Sequence, residues 1–217
     1  MKVINMGETP SVLGNYIAEL RDADIQKDSL RFRANLERVG AVFAYEISKT
    51  LSYSGKEVKT PLGVAQVPTL DSQVVIAAIL RAGLPLQAGL LQVFDHAECA
   101  FLSAYRKYGK GGYCEIRADY CTSPSVEGKV LILADALVAT GASIEMGLQN
   151  LTDEGGTPEK VHLVCPIASR SAVDHLCQSL DSRYTMWVGA IDEELTSRSY
   201  VIPGMGDAGD LAFGCKR

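Results

Sequence analysis

Long hydrophobic runs are missing from this chain of 217 residues. No apolar stretch reaches the roughly 20 residues that a membrane-crossing helix needs. The first thirty residues also hold no apolar centre of a secretion signal. Histidine is scarce, with three residues at 96, 162 and 175, and the six cysteines (99, 114, 121, 165, 177 and 215) form no C-x-x-C pair. Zinc binding is therefore not expected. Disulfides are not expected either, which points to a reducing cytoplasm. Positive charge is not in excess: 21 Lys and Arg stand against 26 Asp and Glu, a net charge of −5. General nucleic-acid affinity is thereby disfavoured, and an anionic ligand has to be held by local donors. The nucleotide-hydrolase loop Gly-x-x-x-x-Gly-Lys-Ser/Thr is absent, because the Gly-Lys pairs at 55–56, 109–110 and 128–129 continue with Glu, Gly and Val. Repeats and low-complexity segments are absent too.

What is present centres on residues 130–143, Val-Leu-Ile-Leu-Ala-Asp-Ala-Leu-Val-Ala-Thr-Gly-Ala-Ser. The apolar run 130–134 reads as a strand buried on both faces of a parallel sheet. It ends at one carboxylate, Asp135. Small residues follow, then a helical pattern with Ile144, Leu148 and Leu151 on one face. In a strand, turn and helix start of this kind, the backbone N–H groups of 139–143 point outward with the helix dipole behind them. That is an anion site, to which Thr140 and Ser143 add hydroxyl donors.

The rest of the chain alternates in the same way. Helices are expected over 11–26 and 29–50, the second capped by Asp28 or Ser29 and carrying Phe32, Leu36, Val39, Phe43 and Ile47 on its apolar face. Arg31, Arg33 and Arg38 read as its solvated face. Residues 56–69 read as a β-hairpin turning at Pro61-Leu62-Gly63. It can lie on the main sheet or reach to a second subunit. Core strands are expected at 74–80, 98–104, 161–167 and 184–191, with helices at 84–94 and 170–180 between them. The segment 106–123 is polar and glycine-bearing, an exposed, mobile hairpin or loop. The tail, 192–217, reads as irregular.

The expected fold is α/β, a doubly wound, mainly parallel sheet. In such sheets ligands sit beyond the carboxyl ends of the strands. Those ends carry Arg81, Tyr105-Arg106, Asp135, Ala168-Ser169 and Asp192. Two arginines and an acid beside a phosphate-shaped turn outweigh the reading of each as a surface salt-bridge partner. The histidines lie away from this expected site. The tail contains G-x-G-x-x-G at 204–209, but it opens no βαβ unit and only eight residues follow it. Dinucleotide binding is thereby excluded. The glycines and proline of 203–209 suggest instead a shaped loop presenting backbone groups to a flat polar ligand. Tyr200, Val201, Ile202 and Phe213 are expected to pack it down.

At these residues a resemblance enters. Residues 135–143 resemble the phosphoribosyl-diphosphate motif of the phosphoribosyltransferase family. Residues 200–210, Tyr-Val-Ile-Pro-Gly-Met-Gly-Asp-Ala-Gly-Asp, are similar to the base-binding loop of its uracil branch. Residues 79–85, Tyr105-Arg106 and Arg31-Phe32-Arg33 match further segments of that branch in the same order. The resemblance implies a single phosphoribosyltransferase domain over 1–217, with helices and hairpin in 1–70, a core at 71–191 and a base-binding hood in 192–217. It implies transfer of phosphoribosyl from 5-phosphoribosyl 1-diphosphate to uracil, giving UMP and diphosphate. Mg²⁺ would be carried by the diphosphate, with no metal site assigned to protein side chains.

By the same resemblance Asp135, Ala136, Leu137, Val138, Ala139, Thr140, Gly141, Ala142 and Ser143 bind the phosphoribosyl donor. Arg81 and Arg106 bind diphosphate, while Val201, Gly206, Asp207 and Ala208 contact uracil, with Asp207 also near the donor. A homodimer or higher homo-oligomer and activation by GTP are further expectations; nucleic-acid and membrane partners are not. Ala136, Ala142 and Leu211 stand where the family usually has Pro, Gly and often a basic residue. Ala142 is tolerable where its φ is negative. Two rivals are weighed, a regulator of this fold binding RNA or nucleotide and a transferase for another base. The net charge and the lack of a basic stripe disfavour the RNA reading.

Overall fold

The computed structural model describes residues 1–108 and 114–216, with backbone alone for 104–108, 114–119 and Glu154. Among the described residues, the strands β1 (Lys2–Asn5), β4 (Val74–Leu80), β5 (Glu98–Tyr108), β6 (Cys114–Thr122), β7 (Val130–Ala134), β8 (Leu137–Val138), β9 (Lys160–Ser169) and β10 (Tyr184–Asp192) form one sheet. Its order is β1-β10-β9-β7-β4-β5-β6, with β8 running beside β9. Every pairing is parallel except β5 with β6. Strands β4 and β7 hold only apolar residues, because both of their faces are covered. Alternate residues serve opposite cores: Ile76 and Ile132 pack on one side, Val75 and Leu131 on the other.

Helices α1 (Val12–Arg21), α2 (Ser29–Ser48) and α3 (Gly83–Leu91) cover the first face. Helices α4 (Ala142–Gly155) and α5 (Arg170–Ser179) cover the second. The Asp28 side chain caps α2, accepting from the N–H groups of Leu30 and Arg31 at 3.0 and 3.1 Å. The three arginines of α2 depart from the expected solvated face. Arg31 pairs with Glu19 of α1, Arg38 donates to the buried Asn35, and Arg33 donates to the carbonyl of Ala212, 179 residues along the chain.

The chain runs from β4 through α3 to β5 on one side, and from β7 through α4 to β9 on the other. The crevice between the carboxyl ends of β4 and β7 is therefore the topological switch point, where ligands bind in open α/β sheets. Two expectations need correction here. Strand β5 does not stop at 104 but continues to Tyr108, pairing with β6 on both sides of a register shift after Ser103. The polar segment after it is thus largely a strand ladder, with 109–113 outside the described residues. The tail is also not irregular: β11 (Glu194–Leu195) pairs with β12 (Val201–Ile202), and α6 (Ala208–Phe213) follows. The hairpin of β2 (Tyr53–Thr60) and β3 (Gly63–Leu70) forms a separate two-stranded sheet turning at Pro61 and Leu62. Among the described residues, no helix is long and apolar enough to cross a membrane.

Candidate active site

Both helices that start at the crevice begin without a side-chain cap. Ala82 precedes α3 and Gly141 precedes α4, and neither has a side chain that caps its helix; at α4 the neighbouring Thr140 hydroxyl accepts from the N–H of Ala142 at 3.5 Å. The helices that start elsewhere differ: Ser11, Asp28, Ser169 and Asp207 cap α1, α2, α5 and α6. Two helix starts on adjacent strands turn their dipoles' positive ends toward the crevice; at α3 the N–H of Leu84 is taken by the Arg81 carbonyl and Pro85 has none, so α4 offers the freer backbone donors. The turns stand close together, since a Cβ placed on Gly83 would lie 2.8 Å from the carbonyl oxygen of Ala134.

Asp135, Leu137, Val138, Ala139, Thr140, Gly141, Ser143 and Ile144 line a pocket of about 40 Å³ at the start of α4. That is a few water volumes, the scale of one tetrahedral oxyanion. Gly141 sits at φ 84°, a left-handed conformation that turns the chain into the helix. Ala142 has no positive φ and is the first helical residue, so its methyl is accommodated. Ala136 and Ala142 do not line the pocket, whereas Ile144 does. Ala136 is buried, and Leu137 and Val138 are fastened as β8 against Ile167 and Ala168. The N–H of Asp135 donates to the carbonyl of Val164 at 3.0 Å, which fixes its backbone at the sheet edge.

Ser169, at the end of β9, holds the turn from the other side: its hydroxyl donates to the carbonyl of Ala139 at 2.6 Å. His175 was expected away from the site. It packs beside Gly141, with its Cδ2 3.3 Å from where a Cβ would be, and its Nε2 meets Glu145 at 2.9 Å.

The hood is built differently. Ile202 and Pro203 are joined by a cis peptide, Gly204 and Gly206 have φ of 55° and 82°, and the Asp207 side chain caps α6 by accepting from the N–H of Asp210. Val201, Met205, Ala208 and Ala212 are buried, while Tyr200, Ile202 and Phe213 stay exposed. Of the four residues expected to pin the tail, only Val201 does so. Side chains from distant segments do the rest. Arg21 of α1 forms a two-pronged pair with Asp192 at 2.7 and 2.8 Å, and the same Arg21 donates to the carbonyl of Gly204. Asp192 also accepts from the N–H of Gly204 at 2.8 Å. Burial of Asp192 opposes its ionisation, but the bonds from Arg21 and Gly204 outweigh it and hold the carboxyl below its ordinary range. Arg33 reaches the carbonyl of Ala212 at 2.6 Å and lies over the Phe213 ring.

Arg81 joins the two halves. It leaves β4 at the crevice, and its guanidinium meets the Asp210 carboxylate at 2.5 Å and the carbonyl of Gly214 at 2.8 Å. A Cβ on Gly209 would lie 3.0 Å from Arg81 Nη2 and 3.3 Å from Asp207 Oδ1, so Arg81 and Asp207 surround the same glycine. Arg106 is not at a strand end. Its backbone pairs with Ile116 within the β5–β6 ladder, and its side chain lies outside the described residues. No group of three or more His, Cys, Asp or Glu that could hold a metal occurs among the described residues. The carboxylates of Asp135, Asp207 and Asp210 belong to the turn and the hood.

The clamp residue Arg21 gave no local sequence signal, and Ser169 and Asp192 were visible only as strand ends. A family model described as uracil phosphoribosyltransferase matches residues 8–215. A uracil phosphoribosyltransferase of Porphyromonas gingivalis is 46% identical over 216 residues, with 100% of both chains covered. Another, from Pyrococcus furiosus, is 34% identical over 215 residues, covering 98% of this chain and 90% of that one. Among solved structures, the AQ2163 protein from Aquifex aeolicus is similar with a TM-score of 0.87 at 27% identity, over 98% of each chain. The fold, the crevice at its switch point and the sequence relatives agree: the chain belongs to the uracil phosphoribosyltransferase family.

Proposed function

We propose that the crevice transfers the phosphoribosyl group of 5-phosphoribosyl 1-diphosphate to uracil, forming UMP and diphosphate in pyrimidine salvage. The bond from the anomeric carbon to the diphosphate oxygen breaks, a bond from that carbon to uracil N1 forms, and the N1 proton is lost. The observation that carries this reading is the pair of helix starts at the switch point with the hood fastened beside them.

The start of α4 holds the 5′-phosphate through the N–H groups of 139–143 and the hydroxyls of Thr140 and Ser143. Asp135 accepts from the ribose hydroxyls and lies where positive charge grows on the ring. Arg81 has two of its donor hydrogens engaged with Asp210 and Gly214. A guanidinium carries five, which leaves others for the departing diphosphate. Arg106 is assigned to the same leaving group. Asp207, in the hood, flanks Gly209 together with Arg81, so it is the carboxylate we assign to the Mg²⁺ that would accompany the diphosphate. Mg²⁺ is ordinarily held by one or two carboxylates plus substrate phosphates, and when bound it would neutralise charge on the leaving group. Positioning and electrostatics then supply the catalysis.

Val201 and residues 206–208 read the base by their backbone. Uracil offers acceptor, donor and acceptor along O4, N3–H and O2, and a backbone offering N–H, C=O and N–H is complementary. Cytosine reverses two of these positions, each mismatch costing roughly 1–3 kcal/mol. Discrimination of about a hundredfold is expected. The test is a turnover assay with 5-phosphoribosyl 1-diphosphate and a panel of bases. UMP as the main product supports the reading, and comparable specificity constants for uracil and cytosine would remove the hood from base selection.

A homo-oligomer fits the hairpin of β2 and β3, which exposes Val58, Leu62, Val64 and Val67. A lone two-stranded hairpin is marginal in water, and a second copy would cover it. Sedimentation of the chain with and without residues 56–67 tests this. GTP activation rests on the family resemblance and is read by adding GTP to the same assay. A cytoplasmic location is supported by Cys99, Cys165, Cys177 and Cys215, which are free thiols.

A further inference from the structure

The arginine assigned to diphosphate is held by a carboxylate 129 residues further along the chain. Arg81 Nη2 donates to Asp210 Oδ1 at 2.5 Å, and Arg81 Nη1 donates to the carbonyl of Gly214 at 2.8 Å. Gly209 forms a third wall, since a Cβ there would lie 3.0 Å from Nη2 and 3.3 Å from Nε. Two nitrogens of the fork are thus fixed by two separate acceptors, and together these set the plane of the guanidinium.

Both acceptors belong to one braced element. Asp210 is the third residue of α6, and Gly214 follows its last turn. The helix is closed at its start by the Asp207 side chain, which accepts from the N–H of Asp210 at 3.0 Å. At its end the N–H of Gly214 donates to the carbonyl of Asp210 at 2.8 Å. Ala208 and Ala212 are buried, and Arg33 of α2 donates to the carbonyl of Ala212. All of these bonds use the backbone of α6, so the helix stands without the Asp210 carboxylate. That carboxylate serves Arg81.

Two roles for Asp210 have opposite signs. As a counter-charge it would weaken the pull of Arg81 on a diphosphate. As a positioning group it would strengthen that pull, by holding the fork with its remaining donors free for the leaving group. The two side chains are 32% and 30% exposed. Water therefore screens the charge between them, and the pair adds little to stability. Orientation is not screened: a free arginine must give up its rotamer freedom on binding, and one already held has done so. We propose that Asp210 is a positioning residue of the transfer reaction, acting through Arg81 to set it for the diphosphate of the donor. The proposal rests on the assignment of Arg81 to diphosphate made above.

The test compares the parent with Asp210→Ala, which keeps the backbone bond to Asp207. The dissociation constant for inorganic diphosphate with Mg²⁺, read by calorimetry, and the KM for 5-phosphoribosyl 1-diphosphate are both expected to rise about tenfold. The uracil KM and the thermal unfolding temperature should stay near the parental values. Asp210→Asn keeps an acceptor oxygen for Arg81 and should recover part of the loss. Should the alanine variant fold poorly, the asparagine variant carries the test with a rise of about threefold. In an Arg81→Ala background, Asp210→Ala should change diphosphate binding no further, because the pair acts as one unit. The proposal is overturned if Asp210→Ala binds diphosphate as tightly as the parent or more tightly, as removal of a counter-charge would. A uracil KM that rises in step with that of the donor overturns it too, as loss of a brace on the base-binding segment would give, and so does a loss that persists in the Arg81→Ala background. In all three cases the parent still forms UMP; a parent that forms none overturns the underlying reading as well.

Discussion

The turn at 135–143 and the hood at 201–208 face the same crevice, yet they are held by opposite means. The turn is local. A strand, a short bridge and a helix start follow one another, and a single outside side chain, Ser169, adds a bond through the Ala139 carbonyl. The hood is assembled from afar. Arg21, Arg33 and Arg81 reach it from three separate parts of the chain, 183, 179 and 129 residues away from the groups they hold. Backbone donors at a helix start need little support, because the helix orients them. A loop that must present a flat edge to a base has no such internal frame, so buried ion pairs and carbonyl contacts supply one. Damage to the turn should therefore appear in the donor and in chemistry, and damage to the hood in the base.

The largest expected effect breaks the turn. Asp135→Asn keeps the shape of the side chain and removes its charge. Loss of a charged contact to the ribose is expected to lower kcat by a hundredfold or more, on the order of 3 kcal/mol of barrier. Thermal unfolding should shift by only a few degrees. A variant that turns over uracil at the parental rate would exclude Asp135 from the reaction.

Gly141→Ala comes next. The position has φ 84°, and a Cβ there would stand 3.1 Å from Leu176 Cγ and 3.3 Å from His175 Cδ2. A left-handed alanine costs about 1–2 kcal/mol, and α5 must yield to the new methyl. The KM for 5-phosphoribosyl 1-diphosphate should rise about tenfold while that for uracil stays near the parental value. Equal rises in both would mean that the turn and the hood move together.

The converse variant is Arg21→Ala. Arg21 touches neither the turn nor the expected position of the donor; it holds Asp192 and the Gly204 carbonyl. Removing it leaves a carboxylate 7% exposed without its cation. Breaking a fully buried pair costs 3–5 kcal/mol, and the partial exposure of Arg21 brings this nearer 2. The uracil KM should rise about fivefold, with the donor KM unchanged. Arg21→Lys should recover part of the loss, because an ammonium keeps the charge but not the two-pronged geometry.

The same contrast explains what the sequence revealed. Residues 74–80 and 130–134 are apolar throughout and so declared themselves as buried strands with those bounds. The anion-binding turn was equally legible, being nine residues of contiguous chain. Strand β1 was not, because Lys2–Asn5 is a short edge strand with one covered flank and no alternation strong enough to read. The ladder of β5 and β6 was legible only as a hairpin or a loop in a polar segment, since an antiparallel edge has no need of a continuous apolar run. The clamp on the hood could be read only in part: Arg81 and Asp192 stood out as strand ends and Arg33 within a matched segment, but their hold on the hood did not. Nothing near Arg21 in the chain distinguishes it from the arginines of a solvated helix, and only the fold shows the carbonyls that Arg21 and Arg33 reach.

Acid sharpens the comparison with the smallest effect. Asp192 is ionised in the clamp, and its pKa in the fold lies below the ordinary carboxylate value of 3.8. In the unfolded chain that value is regained. The unfolded state therefore takes up the proton first as pH falls, so the stabilisation from this group is complete above about pH 4–5 and is lost as pH drops through the folded value. Between pH 5 and 8 the clamp should contribute no pH dependence to the uracil KM. Below pH 4 the hood should loosen before the turn, which relies on backbone N–H groups that do not titrate. Hydrogen exchange on 201–208 and on 139–143, compared at pH 5 and pH 3.5 after correction for the intrinsic rate, checks this order. In Asp192→Asn the difference between the two segments should vanish, because the variant has no carboxylate to protonate. Earlier opening of 139–143 in the parent would mean that the turn, not the hood, depends on ionised side chains.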